Sequence, residues 1–131
     1  MKGCMIGYQP RKGPGYATFC ADGADEAGQI LVRNYRVDRE IQDLVSMGHL
    51  CRVYKDIETS RRYALPGTMP VEFSDWDELM GMFSTVETFI YSEAARKWYW
   101  SRAGLDLHKD GLYNFRPLNF IHDFYGYLDK D

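Results

Sequence analysis

The spacing of apolar residues between Ala24 and Gly48 constrains this chain more than any other feature. Ala27, Ile30 and Leu31 fall at i, i+3 and i+4, which places them on one helical face and predicts a helix over about 24–32. Asp22 or Asp25 can cap its start, and Asp25 and Glu26 suit the positive end of the helix dipole. Arg33-Asn34-Tyr35-Arg36 interrupts the pattern with polar residues. Val37, Ile41, Leu44 and Val45 then resume it and predict a second helix over about 37–47. Gly48 stops that helix, because glycine takes the left-handed conformation that ends many helices.

The flanks read differently. In residues 1–20, Gly3, Gly7, Gly13 and Gly15, with Pro10 and Pro14, break any helix. Cys4-Met5-Ile6 and Tyr16 to Cys20 predict two short strands joined by a turn whose tip carries Arg11 and Lys12. After Gly48, His49 to Val53 predicts a strand, Tyr54 to Ser60 a charged tip, and Arg61 to Leu65 the return strand of a hairpin. Thr68 to Phe73 is a linker. Ser74-Asp75-Trp76-Asp77 then resembles a capping box, with an acid three residues after the serine. Trp76, Leu79, Met80, Phe83, Val86, Phe89 and Ile90 keep helical spacing after it, as a core stripe or dimer seam does. Ser92 is expected to cap a further helix from Glu93 to Ala103, ended by Gly104. On that helix Trp98, Tyr99 and Trp100 would lie about 100° apart, so at least one of them would face a surface or partner. Lys109-Asp110-Gly111 suits a turn, and Pro117 suits the first position of a last helix to about Leu128.

Ala27, Ile30, Val32, Val37, Ile41, Leu44 and Gly48 fall without a gap at the places that a small residue, apolar residues and a terminal glycine occupy in winged-helix domains. Gly48-x-Leu50-x-Arg52, a charged tip, then Arg61-Arg62-Tyr63-x-Leu65 is similar to the wing of such proteins. The chain therefore resembles a winged helix-turn-helix DNA-binding domain over residues 27–65. The resemblance implies an α+β fold: an N-terminal β-hairpin or arm (1–23), a winged-helix-like unit (24–67) and an appended C-terminal helical support or dimerisation region (74–131). It departs from the family at its start, where residues 1–23 offer strand-like sequence in place of a first helix.

The resemblance also implies roles. Arg33, Asn34, Tyr35, Arg36 and Arg39 would sit where side chains reach base edges, since arginine can bond guanine bidentately and asparagine can bond adenine. Lys55, Arg61 and Arg62 would meet phosphates or the minor groove. Arg36 and Arg39 can instead pair with Glu40 and Asp43 on their own helix. The implied function is a DNA-binding transcriptional regulator of bacterial or phage type, working on double-stranded DNA as a homodimer. The alternative is a non-enzymatic inhibitor or adaptor, such as a phage-encoded protein acting on a host protein, with Trp98, Tyr99 and Trp100 as its partner-binding surface.

Composition narrows these classes. A chain of 131 residues with 45% hydrophobic residues can bury one real core. Its net charge of -3 is unevenly spread. Residues 1–20 carry three basic residues and no acid, 21–70 carry seven basic against eight acidic, and 71–131 carry six basic against eleven acidic. Phosphate-binding surface therefore belongs to the first half. Cys4, Cys20 and Cys51 form no C-x-x-C pair and suit free thiols in a reducing, cytoplasmic setting. No apolar run approaches the ~20 residues of a membrane span, and no secretion signal is visible. His49, His108 and His122 are scattered, and there is no H-E-x-x-H, no Walker loop and no G-x-G-x-x-G. The expectation is a protein with no enzymatic activity, metal or cofactor.

Overall fold

The computed structural model describes residues 3–22, 24–76, 78–79, 87–101 and 116–117. The Gly- and Pro-rich start forms the expected hairpin: β1 (Cys4–Gln9) pairs antiparallel with β2 (Gly15–Cys20), from Cys4 opposite Cys20 to Tyr8 opposite Tyr16. The helical spacing that follows produces α1 (Ala24–Asn34) and α2 (Asp38–Ser46), each within about two residues of expectation. Gly48 adopts φ of 92°, and a Cβ there would strike the backbone of Thr68. This glycine therefore both ends the helical segment and permits close approach of the chain beyond it. The remaining elements are α3 (Ile57–Arg62), β3 (Val71–Phe73), β4 (Glu87–Ser92), β5 (Lys97–Ser101) and β6 (Arg116–Pro117).

Among the described residues six strands share one sheet, in the order β3-β2-β1-β4-β5-β6. β1 and β4 run parallel, and every other pairing is antiparallel. The protein is thus a mixed α+β structure. Both faces of the central strands are covered. Cys4, Ile6 and Tyr8 of β1, Phe89 and Tyr91 of β4, and Trp98 and Trp100 of β5 point to one side. There they pack with Ala27, Leu31, Ile41, Leu44 and Val45 of the helices. Met5 and Ile90 point to the other side, with Ala17, Phe73 and Leu79. Alternate residues of a strand face opposite ways, and here each face meets its own apolar layer.

Several expectations are corrected. The segment read as a wing is not a hairpin: its charged tip and return strand form α3 and the turn after it. Asp56 accepts hydrogen bonds from the Thr59 backbone N–H (2.8 Å) and hydroxyl (2.8 Å), closing the first turn, and Arg61 and Arg62 sit at the end that favours cations. Isolated bridges of Leu50, antiparallel with Ala64 and parallel with Cys20, are the strand-like pairing left there. Over its described residues, 93–101, the expected helix is a turn followed by β5, and Phe89 and Ile90 belong to β4 rather than to a helical stripe. Trp98, Tyr99 and Trp100 alternate across the sheet, a pattern aromatic residues favour. Trp98 and Trp100 are 5% and 3% exposed, whereas Tyr99 faces the opposite side and packs on Trp76 at 5.3 Å. The C-terminal region is therefore not wholly helical. Pro117 lies in β6 instead of opening a helix. The rest of that expected helix, the Lys109–Gly111 turn, and Met80, Phe83 and Val86 lie outside the described residues. Among the described residues β1 lies between β2 and β4 in a single sheet, so strands from the expected arm and from the expected C-terminal region pair directly.

Candidate anion-binding cleft

Tyr8, Tyr91 and Trp98 form a row across β1, β4 and β5, at paired register positions. Tyr8 stacks on Tyr91 at 5.9 Å, and Tyr91 meets Trp98 edge-on at 5.5 Å. The row lies near the carboxyl ends of the parallel pair β1 and β4, the end at which open sheets commonly hold ligands. The helical layer crosses it. Asp38 interacts with Tyr91, while the Gln42 amide donates to the Tyr8 hydroxyl at 2.9 Å.

Beside this crossing, at the α1–α2 junction, lies a cavity of about 700 Å3. Val32, Tyr35, Val37, Tyr91 and Trp98 supply its apolar and aromatic wall; Arg36, Arg39, Arg96 and Lys97 supply cations, and Asp38 the one acid. The wall is fixed by hydrogen bonds. The Trp98 indole N–H donates to the Tyr35 carbonyl at 2.9 Å, and the Tyr35 hydroxyl donates to the Tyr54 carbonyl at 2.7 Å. Burial, and then the hydrogen bond and charge of Asp38, push the Tyr91 hydroxyl up to about 12, so it stays protonated at neutral pH.

The β4–β5 turn brings Arg96 and Lys97 to the cavity. Ser92 organises it: its carbonyl accepts from the Arg96 N–H at 2.8 Å and its hydroxyl from the Ala95 N–H at 3.2 Å. Arg96 takes φ of 55°, the left-handed conformation that lets the turn close. Glu93 anchors the turn to the first hairpin by accepting from the Tyr8 hydroxyl (2.6 Å) and the Arg11 backbone N–H (2.9 Å). Those two hydrogen bonds hold its carboxyl below the usual glutamate value, the Tyr8 bond being the larger cause. Burial and Glu93 push Tyr8 up to about 12.

Among the described residues, no acid forms an ion pair with Arg36, Arg39, Arg96 or Lys97. All four side chains are exposed. Gathered like charges attract an anion, and the concave, partly apolar wall strengthens that attraction relative to a flat, fully solvated surface.

The residues singled out from the sequence divide accordingly. Arg36 and Arg39 line the cleft. Trp98 forms part of its wall and is buried, as Trp100 is within the core. Arg33 and Asn34 lie exposed at the end of α1, and the Asn34 amide turns back to the Ile30 carbonyl at 3.1 Å. Tyr35 is 1% exposed and belongs to the core, not to a protruding surface. Lys55, Arg61 and Arg62 are exposed around α3 and do not line the cleft. Sequence reasoning missed Arg96 and Lys97 as partners of Arg36 and Arg39. Their signal was the short Ser-Glu-Ala-Ala-Arg-Lys stretch, which becomes a tight turn once the flanking residues are read as strands.

Among the described residues there is no group of three or more His, Cys, Asp or Glu able to hold a metal ion, and no helix long and apolar enough to cross a membrane. Comparison with protein-family models, with curated proteins and with solved structures finds no match to this chain.

Proposed function

We propose that this is a non-enzymatic DNA-binding protein that grips phosphate in the cleft formed by Arg36, Arg39, Arg96 and Lys97. The observation that carries the proposal is the convergence of these four cations, from two distant parts of a net acidic chain, on one concave site. A cytoplasmic regulator working as a homodimer on double-stranded DNA remains the role that fits the helix-turn-helix order of α1 and α2. Without a wing, contact falls to the α1–α2 junction. Glu40 and Asp43 on the exposed side of α2 repel phosphate, so the middle of that helix is unsuited to lying in a major groove. Arg36 and Arg39, with the exposed Asn34 at the end of α1, are the base-reading candidates.

A gel shift with duplex fragments tests this. The Arg36→Ala/Arg39→Ala double variant should lose most of the binding while keeping the wild-type circular dichroism spectrum. Undiminished binding by that variant removes the proposal.

The second function is a protein-binding adaptor, favoured by the acidic outer side of α2 and by a hollow of about 450 Å3 at its other end, where Tyr16, Pro10 and Pro70 meet Asp43. Capture of one host protein, lost on Tyr16→Ala and unaffected by Arg36→Ala, would favour it over DNA.

A further inference from the structure

We infer that His49 is a proton-sensitive latch: its neutral imidazole fastens the segment between α2 and α3 to β2, and acid releases it. After α2 the chain runs parallel to the end of β2, with Leu50 bridged to Cys20. The Leu50 N–H donates to the Phe19 carbonyl at 2.8 Å, and the Leu50 carbonyl accepts from the Ala21 N–H at 2.9 Å. Continued by one step, this parallel pattern would pair the Phe19 N–H with the Gly48 carbonyl. That carbonyl instead accepts from the Thr18 hydroxyl. The His49 side chain fills the gap, its Nδ1 accepting from the Phe19 N–H at 3.0 Å. A titratable ring thus stands in the ladder where a main-chain carbonyl would otherwise be.

The chain after α3 holds the other side of the segment. The His49 N–H donates to the Thr68 hydroxyl at 2.8 Å, and the Leu65 N–H donates to the His49 carbonyl at 2.8 Å. The Phe19 ring meets the imidazole edge-on at 6.1 Å. Among the described residues, none of those hydrogen-bonded to His49 or in ring contact with it is charged, so no carboxylate among them compensates a positive ring.

Nδ1 accepts only while it carries no proton. A proton there would set two donors face to face, so the ring must turn away and leave the Phe19 N–H without its acceptor. His49 is half-buried, within reach of water as the proton source. The latched form holds the imidazole neutral and the open form takes the proton, so falling pH favours opening. The window is about pH 5–8, where histidine side chains change charge.

Amide hydrogen exchange of the full chain, read by NMR at about pH 7.5 and about pH 5.5, tests the latch. The protection of the Phe19 amide, corrected for the intrinsic effect of pH on exchange, should fall roughly tenfold on acidification. His49→Asn keeps an acceptor near the place of Nδ1, in its side-chain carbonyl, but does not titrate. Its Phe19 protection should be the same at both pH values. His108 and His122 remain in that variant, so an equal fall in both proteins traces the effect elsewhere and overturns the inference. Unchanged protection in the wild type overturns it as well. Should the variant fail to fold, nitrogen spectra of the wild-type imidazole decide. A neutral ring protonated at Nε2, becoming charged as the Phe19 protection falls, supports the latch; a proton on Nδ1 in the neutral ring overturns it.

Discussion

Salt dependence gives a quantitative test of the cleft. If Arg36, Arg39, Arg96 and Lys97 each neutralise one phosphate, the plot of log affinity against log salt has a slope near about -3.6, from roughly -0.9 per contact on duplex DNA. Raising salt from about 50 to about 200 mM then weakens binding roughly 150-fold. Arg96→Asn removes one contact without straining the turn. Its slope should be about -2.7, and the same change in salt should cost it only roughly 40-fold. Glu40 and Asp43 reduce absolute affinity but contact no phosphate, so the slope counts the cations. Fluorescence anisotropy with a short labelled duplex measures both slopes. A flat wild-type line, or a wild-type slope retained by Arg96→Asn, refutes the assignment of phosphate contacts to this cleft. A slope much steeper than about -3.6 shows that cations elsewhere, such as Lys55, Arg61 or Arg62, also take part.

Other outcomes follow from the packing. Trp98→Ala should destabilise the fold by about 3–5 kcal/mol, since it empties a buried site and leaves the Tyr35 carbonyl without its indole donor; a loss below about 1 kcal/mol in urea unfolding would contradict a core role. Asp56→Ala should cost about 1 kcal/mol through loss of the α3 cap, and an unchanged unfolding midpoint would count against that cap. The carboxyl of Glu93 is held low in the folded state, so its stabilisation is present above the unfolded-state value and is lost as pH falls through the folded one. Acid titration of stability should therefore show a steeper loss in the wild type than in Glu93→Gln across and below the ordinary carboxylate range, and parallel curves would refute the anchor. Cys51 alone should react with a thiol reagent in the native protein, because Cys4 and Cys20 are buried; labelling of all three at equal rates without denaturant would contradict this packing.

The sequence by itself determined the elements whose signals are local. Gly and Pro placed the first turn, the i, i+3, i+4 spacing placed α1 and α2, and Gly48 marked where the second helical segment had to stop. Half of the cleft was visible with them, as Arg36 and Arg39 at the start of a helix. Tertiary structure decided what local pattern leaves ambiguous. β4 is buried on both faces, so Thr88 to Tyr91 lacks the alternation that announces a strand, and Phe89 and Ile90 fit a helical stripe equally well. Parallel pairing with β1 settles the matter by burying each face against a different layer. The other half of the cleft depends on that pairing. Arg96 and Lys97 meet Arg36 and Arg39 only because β1 carries β4 and the following turn to the end of the sheet that the α1–α2 junction overlies. No spacing within one segment can encode a charge cluster assembled from two segments so far apart in the chain.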